Sequence, residues 1–161
     1  MLNMKYVAIA IAGLALVEPT AGAQAATPRS ERFLTDARQL IERGDLRAAA
    51  IQLRNSLRED PDNLPARFEL GMISLRLGDL PGAEQALDVA RERGYELVRV
   101  MPVLGAVLLA QGKIDRVLAV FTPGDRPPAL ESEVLRVRGA ALLARRRIDE
   151  VEAECGRLDR A

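Results

Sequence analysis

Apolar residues recur three and four positions apart along most of the chain, in segments separated by short polar turns that contain glycine. Between positions 64 and 97 this period predicts a first helix that ends at Gly78. A second helix, with Ala83 and Leu87 on its inner face, is then predicted to end near Gly94. The pattern indicates an all-α protein assembled from helical hairpins.

The same pattern returns every 34 residues, because Gly44, Gly78 and Gly112 are 34 apart and one further step reaches Arg146. A small residue stands seven positions before each of them, and two more columns follow five and nine positions after them. These columns hold Ala37, Gly71, Gly105 and Gly139; Ala49, Ala83, Val117 and Val151; and Leu53, Leu87, Phe121 and Cys155. Columns in register over four units indicate a repeat protein.

Each column has a physical reason. A small residue lets two helix backbones approach closely, and a turn glycine takes the left-handed conformation that ends a helix. Asp45 and Asp79 are expected to cap the helices that follow, and Pro61 to separate the first two units. Residues 122–128, which contain three prolines, predict a loop after the third unit, and 145–147 are predicted to form the last turn between helices.

These columns resemble the tetratricopeptide repeat (TPR) family from Ser30 to the C-terminus. The resemblance implies a superhelix, or solenoid, of about three and a half helical hairpins. Its units are 30–63, 64–97, 98–131 and a shortened 132–161, preceded by a linker at 26–29.

The resemblance also implies a non-catalytic protein whose first helices line a concave groove that receives a protein or peptide partner. The columns that line this groove supply the candidate binding residues, which are Leu34, Arg38, Phe68, Met72, Leu75, Arg99, Ala106, Leu109 and Arg136. The same columns hold Glu31, Ile41, Pro65, Pro102, Glu133, Ala140 and Leu143. A hydrophobic or helical segment is the expected ligand. The alternative is that Phe68, Met72, Leu75 and Leu109 only pack between neighbouring helices.

A narrower likeness covers 30–121. The run 50–71, the Gly94-Tyr95 pair and the segments 103–104 and 108–113 resemble exported TPR proteins of the PEP-CTERM/exosortase system. This likeness implies a scaffold in cell-envelope assembly, exopolysaccharide export or protein sorting. Proteins of that kind are longer, so the alternative is a truncated array with only a structural role and no specific ligand.

Residues 1–25 are typical of a secretory signal peptide. Lys5 precedes an apolar run of twelve residues, and A-x-A cleavage signatures end at Ala23 and Ala25. A membrane span needs about 20 apolar residues. We therefore expect a cleaved leader, no stable membrane anchor, and a periplasmic or otherwise extracytoplasmic protein.

Composition excludes several kinds of chemistry. The chain has no histidine and one cysteine, so histidine-based triads, histidine-ligated metals and paired-cysteine redox sites are absent, and we expect no catalytic residue, cofactor or metal. The 23 basic and 23 acidic residues cancel, which gives no reason to expect nucleic acid as a partner. Cys155 is interpreted as a core residue, the acids of 149–154 as a solvated face, and Asp60, Asp62 and Asn63 as turn and capping residues.

The last predicted helix carries Ile148, Val151, Cys155 and Leu158 on one face. Solenoids usually close with a polar outer face. The sequence therefore predicts self-association through this uncapped C-terminal helix, or its cover by a partner or by further repeats.

Overall fold

The computed structural model of the chain describes the backbone of residues 27–158 and the side chains of 27–147 and 149. This part of the chain folds into seven α-helices and contains no strand. The helices are α1 Pro28–Glu42, α2 Leu46–Glu59, α3 Leu64–Arg76, α4 Leu80–Glu92, α5 Leu97–Ala110, α6 Ile114–Val120 and α7 Pro128–Leu158. They pack as successive neighbours, which confirms the predicted all-α repeat architecture.

The turns between paired helices share one geometry. Gly44, Gly78 and Gly112 have φ of 80°, 79° and 69°, the left-handed region that glycine enters without a Cβ clash. In the first turn the backbone N–H of Asp45 donates to the carbonyl of Leu40 at 2.9 Å, and equivalent bonds close the other two turns. This is the Schellman arrangement expected where a helix ends at glycine.

Polar side chains cap the N-termini of α2, α3 and α4 as predicted. Asp45 Oδ1 accepts from the N–H of Ala48 at 3.1 Å, and Asp79 Oδ1 accepts from that of Gly82 at 3.0 Å. Asn63 caps α3, and Asp60 accepts from the N–H of Asp62 in the turn before it. These contacts confirm the capping roles.

A buried polar network joins the first hairpin to the start of α3. Ser30 and Ser56 exchange hydroxyl-to-carbonyl hydrogen bonds of 3.0 Å, and Asn63 Nδ2 donates to Ser30 Oγ at 2.9 Å. All three residues are at most 2% exposed. Because each polar atom has a partner, the network orders α1, α2 and the start of α3 without an unpaired buried group.

The repeat columns form the core. Leu53, Leu87 and Phe121 are completely buried, as are Ala49, Ala83 and Val117. A Cβ added to Gly71 would lie 2.7 Å from Leu87 Cγ, and one added to Gly105 would lie 2.6 Å from a Val137 methyl. The small-residue column therefore permits close helix contacts in the second and third units.

The chain departs from the prediction after the third unit. The proline-rich segment ends α6 at Val120, as expected, but α7 runs without interruption from Pro128 to Leu158. The predicted interhelical turn at 145–147 was wrong. The turn column holds Arg146 where the earlier units have glycine, and arginine is a good helix former that enters the left-handed region only at a cost.

None of the helices in 27–158 has the length and apolarity to cross a bilayer. Within the same range, histidine, cysteine and carboxylate side chains form no group of three that is arranged to hold a metal ion. The predicted leader at 1–25 lies outside the described residues, and so do the side chains of Ile148, Val151, Cys155 and Leu158.

Candidate functional site

A surface cleft of about 380 Å³ is the candidate site. We call it the α1–α3–α5 cleft, after the three helices whose side chains form its walls. Its lining residues are Arg38, Ile41, Glu42, Phe68, Glu69, Met72, Ile73, Arg76 and Arg99. These helices are the first members of the three hairpins, so the cleft lies on the side where the repeat columns placed a groove.

Four of the predicted groove residues meet in this cleft: Arg38 from α1, Phe68 and Met72 from α3, and Arg99 from α5. Ile41, from another predicted column, joins them. Residues 61 positions apart in the sequence are thus brought to one surface by the stacking of equivalent helices.

Phe68 forms the packed end of the cleft. Its side chain is 5% exposed, and its ring centroid lies 5.8 Å from that of Tyr95 in a tilted arrangement. The guanidinium of Arg99 lies 4.8 Å from the same ring centroid, within the range of a cation–π contact. Phe68 therefore packs between helices and also forms part of the cleft wall.

The polar rim of the cleft is only partly paired. Arg38 Nε donates to Glu69 Oε1 at 2.8 Å, whereas Glu69 Oε2 is buried and has no hydrogen-bond partner. Arg76 makes no ion pair with any described residue, and its side chain is exposed at the end of α3. The cleft thus offers ligands the exposed Arg76 guanidinium and the exposed Glu42 carboxylate beside an apolar floor.

Charged groups next to the cleft shift one another's pKa. The hydrogen bond from Arg99 lowers the pKa of Glu96, with which it forms an ion pair of 2.8 Å, and raises the pKa of Arg99 itself. Burial raises the pKa of Tyr95, and the neighbouring Glu96 carboxylate raises it further. Glu96 has φ of 26°, an unfavourable backbone conformation for a residue with a Cβ, at the start of α5. The ion pair between Glu96 and Arg99 holds the Arg99 guanidinium over the ring of Phe68.

The other predicted groove residues lie elsewhere. Leu34 is 2% exposed and packs in the apolar cluster that α1 forms with α2 and α3. It lies three residues before buried Ala37 and therefore on the same face of α1. It is therefore not available to a ligand. Leu75 and Leu109 are half-buried against the larger apolar cluster, which extends from α3 to α7. Ala106 is exposed on α5.

Arg136 also lies away from the cleft. It is exposed on α7 and pairs with Glu133 of the same helix at 2.7 Å. The predicted groove residues thus do not all line one cleft, and α7 contributes none of the side chains that form its walls.

Glu42, Glu69, Ile73 and Arg76 line the cleft but were missed in the sequence. Glu42 and Arg76 are 34 residues apart and follow the groove-column residues Ile41 and Leu75. A fifth groove column, placed one position after the column of Ile41 and Leu75, would have identified both residues. No comparable signal marks Glu69, whose position depends on its contact with Arg38.

A second cluster of charges joins the second and third units. Glu84 accepts from Lys113 Nζ at 2.6 Å, from Gln111 Nε2 at 2.8 Å and from Arg116. Arg116 also pairs with Asp88. Burial alone would raise the pKa of Glu84, but the hydrogen bonds from Lys113 and Gln111 and the charge of Arg116 outweigh it and lower the pKa. Since these carboxylates already have cationic partners, the cluster ties α4 to α6.

Comparison with known proteins supports the repeat. Residues 40–96 match the family model for the tetratricopeptide repeat. This stretch runs from the end of α1 to the start of α5 and includes Phe68 and Met72 of the cleft. A search among curated proteins finds no match to the chain. The repeat is of a kind that generally serves as a protein-interaction scaffold.

Proposed function

We propose that the chain is a non-catalytic protein-interaction module that binds a peptide segment of another protein in the α1–α3–α5 cleft. The observation that carries this proposal is the convergence of Arg38, Phe68, Met72 and Arg99 on one surface. The match of residues 40–96 to the tetratricopeptide repeat supports the same class of function.

The cleft suits a peptide in size and in polarity. Its volume of about 380 Å³ lies at the lower end of the range of about 300–1,000 Å³ that is usual for ligand-binding clefts. Ile41 and Met72, which are half-buried, provide an apolar floor. A peptide backbone supplies both an N–H for the exposed Glu42 carboxylate and a carbonyl for the Arg76 guanidinium.

The rim favours an acidic neighbour in the ligand. Three arginines and two glutamates line the cleft, and the carboxylate of Glu69 is already occupied by Arg38. A ligand carboxylate placed near Arg76 gains a charge-assisted hydrogen bond. The preferred segment therefore inserts one apolar side chain and carries an acidic residue beside it.

The proposed place of action is outside the cytoplasm. The leader at 1–25 supports export, and the resemblance to PEP-CTERM/exosortase proteins supports a scaffold role in envelope assembly, exopolysaccharide export or protein sorting. The alternative, a remnant array with no specific ligand, predicts that the cleft selects no peptide at all.

Selection from a random-peptide display library tests the proposal. Enriched peptides are expected to share an apolar residue next to an acid, and Met72→Glu and Arg76→Glu are expected to weaken their binding at least tenfold. Ile51→Glu and Arg47→Glu are the matched controls, because both positions are exposed on α2 and neither lines the cleft. Failure to enrich any motif, or equal loss in the controls, would refute binding in the cleft.

A further inference from the structure

A second cleft, of about 260 Å³, lies between α2, α3 and α4. We call it the α2–α3–α4 cleft, and the side chains used below are those of Arg54, Arg67, Leu70, Ser74, Asp79 and Gln85. The three that α3 contributes are spaced three and four residues apart and so share one face of that helix. By the same spacing Glu69, Met72 and Arg76, which line the α1–α3–α5 cleft, share the opposite face. The two clefts have no lining residue in common.

Ser74 brings an unpaired hydroxyl to this cleft. The residue is 3% exposed, and its Oγ makes no hydrogen bond with any residue that the structure describes. Unlike Glu69 Oε2, which is enclosed by protein atoms, the Ser74 Oγ is reached from the cleft. The hydroxyls of Ser30 and Ser56, which are equally buried, bond to each other. Because buried polar groups are nearly always paired, the Ser74 hydroxyl is available to a polar group from outside the chain.

Two arginines give the cleft positive charge that forms no ion pair with the described residues. Arg54 is exposed on α2 and makes neither an ion pair nor a hydrogen bond there. Arg67 donates from Nη2 to the carbonyl of Pro61 at 2.7 Å, and to no carboxylate. Burial lowers the pKa of Arg67, and the charge of Arg93 lowers it further against the opposing effect of Asp62. The Arg67 cation therefore lies where an added anion stabilises it.

The other lining groups restrict which anion fits. Asp79 gives Oδ1 to the N–H of Gly82, which leaves its Oδ2 as an acceptor, and the exposed Gln85 amide is unpaired within the described residues. Two arginines and one aspartate give the lining a net charge of +1, which matches a single carboxylate better than a doubly charged phosphate. The volume lies below the range of about 300–1,000 Å³ that is usual for drug-sized ligands, so the ligand is small.

We propose that the α2–α3–α4 cleft binds a small hydroxycarboxylate, whose carboxylate contacts Arg54 and Arg67 and whose hydroxyl group bonds to Ser74. Arginine is well suited to a carboxylate, because its planar group donates two parallel hydrogen bonds. A hydroxyl both donates and accepts, so it also suits the Gln85 amide and the free Asp79 oxygen. This site is separate from the α1–α3–α5 cleft and does not depend on peptide binding.

Amide-detected NMR of the full-length chain tests the proposal with sodium glycerate, which carries a carboxylate and neighbouring hydroxyl groups. Saturable shifts are expected at the backbone amides of Ser74 and Gly82, and none at Gly44, which lies in a turn outside the cleft. Glycerol, which lacks the carboxylate, and sodium chloride at the same ionic strength should give no saturable shift, and sodium phosphate should bind less tightly. No saturation with glycerate, an equal response to glycerol or chloride, or tighter binding of phosphate would overturn the assignment.

Substitutions in the lining identify the contacts. Arg54→Gln should weaken glycerate binding about tenfold by removing a charge-assisted hydrogen bond, and Ser74→Ala should weaken it about fivefold. Both variants should melt like the wild type, because neither side chain makes a hydrogen bond within the described part of the fold. Arg47→Gln is the matched control, since Arg47 is exposed on α2 and does not line the cleft. Wild-type affinity in Arg54→Gln or Ser74→Ala, or equal loss in Arg47→Gln, would contradict the proposed contacts.

Discussion

The guanidinium of Arg99 covers the ring of Phe68, with its central carbon 4.8 Å from the ring centroid. Arg99 belongs to α5 and Phe68 to α3, so this contact joins the second and third hairpins at the edge of the cleft. The same arginine is held by Glu96, whose unusual backbone conformation begins α5. The cleft wall is thus formed by a contact between two repeats.

Replacing Arg99 with alanine should lower the free energy of unfolding by about 0.5–1 kcal/mol, the value of an exposed cation–π contact. Urea denaturation measures the change. Arg47→Ala is the control, because Arg47 is exposed on α2 and lies apart from the cleft. Equal loss in both variants would show that the contact with Phe68 contributes nothing specific.

Asn63→Ala should destabilise the chain by about 2–3 kcal/mol, because it removes a helix cap and leaves buried serine hydroxyls short of a partner. Asp79→Ala provides the comparison, since Asp79 caps α4 from an exposed position and its loss should cost about 1 kcal/mol. Thermal melts of the two variants measure the difference. A smaller effect at Asn63 than at Asp79 would contradict the role of the buried network.

The contacts of Glu84 with Lys113, Gln111 and Arg116 predict that the stability of the fold is sensitive to acid. Because partners in the folded state lower the pKa of Glu84 below its ordinary 4.5, the cluster stabilises the fold above that pH. This stabilisation should be lost as the pH falls below about 4.5. Glu84→Gln should cost about 2 kcal/mol at neutral pH, the value of hydrogen bonds to a charged group. It should also flatten the decline between pH 5 and 3 in a series of thermal melts. An unchanged slope would contradict the assignment.

Edman sequencing or intact mass of protein recovered from an exporting host tests the leader. The A-x-A signatures predict a mature chain that begins after Ala23 or Ala25. Replacing Ala23 and Ala25 with arginine should block cleavage at both positions. Recovery of the wild-type chain with its first 25 residues still attached would contradict export by this route.

The first three hairpins were predictable because their signals are local. Gly44, Gly78 and Gly112 each end a helix by a conformation that other residues rarely adopt, so their spacing alone located the turns. The fourth turn position holds Arg146 instead of glycine, and α7 continues through it. The 34-residue spacing, extended to this position, could not reveal that no turn forms. A repeat period is reliable only where the residue that causes the turn is present.

The candidate site was predictable only in part. The columns identified Arg38, Phe68, Met72 and Arg99, because equivalent positions on stacked helices share one side of the array. They did not reveal that Leu34 is buried, because burial depends on how α1 packs against its neighbours. The contact between Ser30 and Asn63 was missed as well, because polar residues 33 positions apart carry no periodic signal.

Methyl-detected NMR with a library-selected peptide tests the central claim most directly. Ile41, Met72 and Ile73 line the cleft, whereas Ile51 and Ile114 do not. The account predicts saturable shifts at the three cleft methyl groups and none at Ile51 or Ile114. Shifts at Ile51 or Ile114 without changes at Met72 and Ile73 would contradict peptide binding in the α1–α3–α5 cleft.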